Sequence, residues 1–211
     1  MTEYIFTSNE MSTADKLTIK NGISSQSLMY KAGEAVLKNL PTDHNGKVLV
    51  ICGPGNNGGD GYVVAGLLSS LGVSVEVMSL EFGKIPSIDN QFYKNKLDDL
   101  LFKKNLNDLS NYEYVVDALF GIGLSRKLPD KIIDLINNIN SSDLDVYSID
   151  VPTGINSDTG EIHGIAFKCR KTITFFNKKL CHYLLPGRHY CGEIVVEDIG
   201  ISKEVIKKIM P

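Results

Sequence analysis

Apolar positions along the chain follow two alternating rhythms. Short aliphatic or aromatic runs at Val48–Cys52, Val73–Leu80, Tyr114–Val116, Val146–Ile149, Lys171–Phe176 and Gly192–Ile199 are of strand length. Val48–Cys52 is rich in β-branched residues and lacks polar alternation, the pattern of a strand covered on both faces. Elsewhere apolar residues recur every three or four positions, which predicts helices. Asn9 or Ser12 starts the first, with Met11, Ala14, Leu17 and Ile19 on its apolar stripe and Asn21 and Gly22 stopping it. Ser24 or Ser25 starts the second, whose stripe is Leu28, Met29, Ala32, Ala35, Val36 and Leu40, and Pro41 ends it. This region is assigned to packing. Further helices are predicted over Tyr62–Leu71, Gln91–Leu101, Asp130–Asn140, with Pro129 in the first turn, and Lys203–Lys208. Strands separated by helix-length segments require right-handed crossovers, so the predicted fold class is α/β, a sandwich with a mostly parallel central sheet.

Composition narrows this to one domain. At 211 residues and 43% hydrophobic the chain can fill one sizeable core, and no repeat or low-complexity linker divides it, so a single domain is expected over residues 1–211. A formal net charge of −3 gives no electrostatic reason to expect nucleic acid, and no Lys/Arg run suits an anionic membrane surface. No apolar stretch reaches membrane-spanning length, the N-terminus has no signal-peptide pattern, and Cys52, Cys169, Cys181 and Cys191 show no CxxC spacing. A cytoplasmic protein with reduced thiols is the expectation. Cys181, His182, His189 and Cys191 match no familiar zinc spacing, and His44 and His163 are assigned to the surface.

The chemistry concentrates in the turn after Cys52, where five of nine residues from Gly53 to Gly61 are glycine. Glycine has no Cβ and tolerates positive φ, so this backbone can approach a ligand closely. Asp60 is placed at a helix N-cap or in its first turn. Gly53–Gly58 fits GxGxxG literally, and Glu76, eighteen residues after Gly58, suits a ribose-binding acid; alone, this spells a nicotinamide dehydrogenase. Pro54, however, removes an N–H from such a loop, and NNGGDG brings two amides and a carboxylate where small or apolar residues are usual. A Walker A loop is excluded by the missing Gly-Lys-Ser/Thr. Two more strands end in similar loops, Asp117 with Gly121 and Gly123, and Asp150 with Thr153 and Gly154. Either aspartate alone reads as a cap. Ligands in open parallel sheets bind outside the carboxyl ends of the strands, so the three loops converge on one crevice. An amide oxygen, a carboxylate and a Thr hydroxyl suit a hard cation, and one carboxylate among neutral oxygens favours a monovalent one.

GPGNNGGDG, VVDALFGIGL and SIDVPTGINSDTG, in that order and spacing, resemble the NAD(P)H-hydrate epimerases, the YjeF N-terminal domain family. The similarity extends to Asp15–Gly33 and Leu185–Ile201 and so covers nearly the whole chain. The resemblance implies a Rossmann-like three-layer αβα domain, as a homodimer, that interconverts the R and S epimers of hydrated NADH or NADPH at C6 of the nicotinamide ring. A companion dehydratase then restores the cofactor; because the chain ends at Pro211, the stand-alone form is expected, with the dehydratase a separate protein. The resemblance also implies one potassium ion per subunit on Asn57, Asp117 and Thr153. Its substrate site would comprise Asn56, Asn57, Gly58, Gly59 and Asp60, then Gly121, Ile122, Gly123, Leu124, Ser125, Arg126 and Lys127, and Asp150. Tyr30, where the family has Glu, and Met11–Ala14, which lacks the usual Arg, depart from the pattern outside the three loops.

Position assigns acid–base work to Asp150, with Asp60 second, since a carboxylate at a strand end faces the crevice. Lys179 is a further candidate, equalled by Lys178 in register, and the default for both is the surface. Two readings compete with the epimerase. One is the NAD-dependent dehydrogenase. The other is a non-catalytic dimeric binding module, such as this fold supplies to RNA-processing scaffolds; Asn57, Asp60, Asp117 and Asp150 count against it.

Overall fold

A computed structural model of the chain describes residues 4–103, 106, 108–124 and 126–209. The strands are β1 (Lys47–Cys52), β2 (Val75–Ser79), β3 (Phe102–Lys103), β4 (Tyr112–Ala118), β5 (Asp145–Ile149), β6 (Lys171–Phe175) and β7 (Glu193–Glu197). They form one sheet in the order β3-β2-β1-β4-β5-β6-β7, and every neighbouring pair is parallel. The sheet expected to be mostly parallel is wholly so. The helices are α1 (Ser8–Lys20), α2 (Ser25–Leu37), α3 (Asn56–Ser70), α4 (Ile88–Lys94), α5 (Asp130–Asn140) and α6 (Lys203–Ile209). None of them is long and apolar enough to cross a membrane among the described residues. All four cysteines are free.

Successive side chains of a strand point to opposite faces, and β1 is buried on both. Val48, Val50 and Cys52 pack with Ala14 of α1, Ala32 and Val36 of α2, and Val64 and Leu68 of α3. Leu49 and Ile51 pack on the other side with Ile132, Ile136 and Ile139 of α5. The sheet is therefore the middle of three layers. The first helix begins ahead of Asn9 because Thr7 and Glu10 form a capping box, in which Thr7 Oγ1 accepts from Glu10 N–H at 3.3 Å and the Glu10 carboxylate accepts from Thr7 N–H at 2.7 Å. Ser24 caps α2 as its sequence suggests.

Two boundaries differ from expectation. The helix placed at Gln91–Leu101 starts earlier, capped by Ser87, and stops at Lys94, because Phe102 and Lys103 are drawn into the short edge strand β3 beside Val77 and Met78. More consequentially, α3 starts at Asn56 rather than Tyr62, so NNGGDG is helix and not loop, and Asp60 lies in the second turn rather than at the cap. None of the five glycines between Gly53 and Gly61 has a positive φ. For Gly53, Gly58, Gly59 and Gly61 the use is thinness. A Cβ on Gly58 would lie 1.9 Å from the Gly53 carbonyl oxygen, and one on Gly61 2.4 Å from the Ala118 methyl. Close packing of α3 against β1 and β4 thus overrides the poor helix propensity of glycine.

The chain leaves β1 towards β2 on one side and later enters β4 on the other, so the strand order reverses at β1/β4. Crevices at such switch points receive ligands. Gly58→Ala is expected to destabilise the fold by about 1–3 kcal/mol, since the obstructing atom is backbone. A Cβ on Gly55 meets nothing within 4 Å, so Gly55→Ala should cost clearly less; the urea midpoints of the two variants check the order.

Candidate active site

A cleft of about 550 Å³ opens at the carboxyl ends of the strands. Gly55, Asn56, Asn57 and Asp60 line it from the start of α3, and Leu119–Gly123 from the loop after β4. Asp150 follows β5, Lys179 follows β6, and Asp15 reaches in from α1. The turn between β1 and α3 is held by Asn90 of α4, whose amide nitrogen donates to the carbonyls of Gly53 at 2.9 Å and Gly55 at 2.8 Å. Ser87 Oγ donates to Asn56 Oδ1 at 2.8 Å. Gly55 caps α3 without a side-chain hydrogen bond, which leaves first-turn N–H groups at the cleft wall.

Asp150 has the left-handed backbone, at φ 67°, that non-glycine residues seldom adopt. Its surroundings account for the strain. The ammonium of Lys179, only 1% exposed, pairs with Asp150 Oδ1 at 2.5 Å and donates to Thr174 Oγ1 at 2.7 Å and to the Phe175 carbonyl at 3.1 Å. Thr174 Oγ1 in turn donates to Asp150 Oδ1 at 2.9 Å. His182 Nδ1 accepts from Lys179 N–H at 3.0 Å, so its proton is on Nε2, which donates to the Asp150 carbonyl at 3.1 Å. Burial, then the nearby Lys179 charge, holds the His182 pKa down at about 4, in keeping with a neutral ring. Carboxylate, carbonyl and backbone of Asp150 are each fixed.

Asp117 lies inside β4, one residue from its end, fully buried opposite Ile51 and Ser148. Thr153 donates to it twice at 2.7 Å, through N–H and Oγ1, with Ser148 Oγ at 3.0 Å and Leu119 N–H at 3.2 Å. Burial pushes its pKa up to about 6, opposed by these hydrogen bonds. Phe120 N–H donates to Thr153 Oγ1 at 3.0 Å, which joins this buried cluster to the cleft loop. Across that loop, a Cβ on Gly121 would stand 3.2 Å from Asn57 Oδ1 and 3.3 Å from Asp150 Oδ2. The Asn57 amide nitrogen is buried without a hydrogen-bond partner.

The structure therefore brings Asn56, Asn57, Asp60, Gly121, Ile122, Gly123 and Asp150 to one cleft. Gly58 and Gly59 lie beneath it, against Gly53 and Met29. Leu124 packs in the core beside α5, while Arg126 and Lys127 are exposed outside the cleft lining. Ser125 lies outside the described residues. Asp117 and Thr153 meet directly but are wholly buried. The surface default fails for Lys179, whose ammonium is drawn inward by Asp150, whereas Lys178 stands over the Tyr183 ring at 5.2 Å. Glu76 binds Lys47, Lys103 and Tyr112 near the start of β2 and is not part of the cleft, so the dehydrogenase reading loses its ribose acid. Among the described residues no three or more His, Cys, Asp and Glu side chains are grouped so as to hold a metal ion.

Sequence reasoning missed Asp15, Asn90 and Thr174 as parts of this constellation. Asp15 is separated by one helical turn from Met11 and by another from Ile19, both also at the cleft, and that phase was readable. Burial, then the Asp150 charge, raises the Asp15 pKa to about 6, with Lys179 opposing. The Asp60 pKa is also raised, by burial and then by Asp150 and Asp15.

The chain is similar to known proteins over nearly its whole length. Residues 25–181 match the family described as YjeF-related protein N-terminus. An Oenococcus oeni protein named NAD(P)H-hydrate epimerase is 38% identical over 95% of this chain and 99% of its own. A Dictyoglomus turgidum protein, named as a bifunctional NAD(P)H-hydrate repair enzyme, is 36% identical over 79% of this chain, which spans 33% of that relative's length. A crystal structure of the yeast protein ynu0 superposes with a TM-score of 0.79 at 21% identity, covering 99% of this chain and 94% of that one, a likeness of fold. This chain belongs to the YjeF-related N-terminal family, alongside proteins named NAD(P)H-hydrate epimerase.

Proposed function

We propose that the protein interconverts the R and S epimers of hydrated NADH or NADPH at C6 of the nicotinamide ring, a step in repair of that cofactor. The observation that carries this reading is the meeting of Asn57, Asp60, Asp150 and the Gly121 loop in one cleft of a chain that matches an epimerase of this name almost end to end.

C6 of the hydrate bears a hydroxyl and is bonded to the ring nitrogen. The nitrogen lone pair can expel that hydroxyl as water, leaving a C6=N bond, and water returning to the other face inverts the centre. Ring opening and reclosure reaches the same end. Either route needs an acid for the departing oxygen and a base for the arriving one. Asp150, with Asp60 second, is assigned this work. Lys179, Thr174 and His182 fix Asp150 while its Oδ2 turns to Gly121, the rigid support that proton transfer at a set distance requires. The first-turn N–H groups of α3 suit the pyrophosphate.

Asn57, Asp117 and Thr153 are assigned to a potassium ion. The donor set fits: turning the Asn57 amide over puts its oxygen where the unpartnered nitrogen now lies, and the rest of the set is a carboxylate and a hydroxyl. When bound, the ion supplies fixed positive charge against the anionic groups of the substrate. Relatives named as bifunctional repair enzymes support a second activity in the same repair. We assign it to a separate dehydratase, with this protein a homodimer in the cytoplasm, where its four free cysteines stay reduced.

Incubation with the R epimer of hydrated NADH should yield the S epimer by chromatography, and no conversion would count against the reading. Asp150→Asn is expected to slow conversion by about 100-fold or more while still binding the hydrate; a normal rate in that variant would remove Asp150 from the chemistry. Asp117→Asn should lower activity and abolish any preference for potassium over sodium, measured by titrating each chloride salt. Unchanged potassium dependence would exclude Asp117 as a ligand.

A further inference from the structure

We propose that Asp15, on α1, is a second acid–base group of this epimerisation and serves the face of the nicotinamide ring opposite to the face served by Asp150. The inference rests on the epimerase reading. Met11, Asp15 and Ile19 recur every four residues along the side of α1 that lines the cleft, with Ser12 beside them, so a carboxylate stands between two apolar side chains. Among the described residues its oxygens accept no hydrogen bond and form no ion pair, although it is half-buried. An unpaired carboxylate in such a place costs stability, so packing does not explain it.

The helix that presents it is firmly placed. Ser8 donates to Asp158 from N–H at 2.6 Å and from Oγ at 2.5 Å, putting a carboxylate at the N-terminus of α1. Just ahead, Phe6 bridges to Lys179, the partner of Asp150. The same junction therefore fixes both carboxylates. They are close enough for each to feel the other's charge, yet they share no hydrogen bond.

Inversion at C6 requires oxygen to leave from one face and return to the other. Asp150, pinned by Lys179 and Thr174, serves a single face. With Asp15 protonated, its proton passes to the C6 hydroxyl, the C6–O bond breaks, water departs, and the ring-nitrogen lone pair forms C6=N. Water on the far face then adds to C6 and gives a proton to Asp150, and the C6=N electrons return to nitrogen. One proton has moved from Asp15 to Asp150, and exchange of both carboxyls with water after product leaves restores the start for the next turnover; the state left behind is the one that runs the conversion in the opposite direction. Asp15 is suited to this because its pKa, raised to about 6 by burial and by Asp150, allows both forms near neutrality. The charges facing it are Asp150, Lys179 and, from α3, Asp60, with Lys84 and Asp89 further along the cleft lining. Lys31 of α2 points to Gly200, while Glu34 of α2 and Glu204, Lys207 and Lys208 of α6 are exposed.

The test compares Asp15→Asn and Asp15→Glu with the unaltered protein on purified epimers of hydrated NADPH. The unaltered protein should show kcat/KM falling as pH rises through about 6, the loss of the singly protonated pair. Asp15→Asn should lose that limb and about 100-fold or more in kcat, with hydrate binding changed less than about threefold, and Asp15→Glu should recover rate and limb in part. Folding is checked by melting. The raised pKa means that charging Asp15 opposes the fold above pH 6, so Asp15→Asn should melt higher than the unaltered protein at pH 8, with the gap closing towards pH 4. An unaltered protein that leaves either epimer unchanged overturns the epimerase reading itself. An active protein whose Asp15→Asn variant keeps its rate or its limb overturns the role of Asp15 alone. If Asp15→Asn does not fold, an Asp15→Glu variant without the limb does so equally.

Discussion

A buried ammonium must find a carboxylate, and the arrangement of this site follows from where Lys179 finds one. Taking both charges out of water costs several kcal/mol per ion, which close contact and further hydrogen bonds must offset. Lys179 obtains them from Asp150, Thr174 and the Phe175 carbonyl, and its own backbone N–H is taken up by His182. Asp150 is drawn out of the extended conformation of β5 into a left-handed one, a strain of about 1–3 kcal/mol that persists because carboxylate and carbonyl are both held. The pair thus closes the loop after β5 onto the segment after β6, and the N-terminal arm docks at the same place through Phe6.

The electrostatics of the cleft divide it in two. Asp15, Asp60 and Asp150 gather at one end, where burial and then the charge of Asp150 raise the proton affinity of Asp15 and Asp60. An anionic dinucleotide cannot rest its phosphates there. The start of α3 offers the opposite: N–H groups at a helix N-terminus, on a turn held by Asn90 and Ser87. The cleft thereby has a direction, with anion-binding N–H groups at its α3 end and carboxylates at the other.

Much of this was legible in the sequence, and the exceptions share a cause. Apolar runs located six of the seven strands, most plainly β1, whose burial on both faces admits few other residues; the two-residue edge strand β3 leaves no such trace. Asp117 and Asp150 were found because each follows such a run. The start of α3 was misplaced because glycine reads as a turn, whereas here it removes the Cβ atoms that would hold the helix off Gly53 and Ala118. Lys178 and Lys179 are chemically the same residue in adjacent places, and only the tertiary position of Asp150 decides which is buried. Asp15 was written in the phase of α1, but a helix stripe shows what faces inward, not whether it meets core or cleft.

The docking of the N-terminal arm has a consequence for how the protein is made. Phe6 pairs beside Lys179 and α1 packs against α6, so the segment carrying α1 takes part of its support from residues far along the chain, in addition to α2 and β1 nearby. Contacts of such sequence separation form late, after their loop entropy has been met. The inner strands can pair without these contacts, but the wall carrying Asp15 is complete only once Lys179 and α6 are in place, so loss of that later segment would leave a sheet with an open cleft wall.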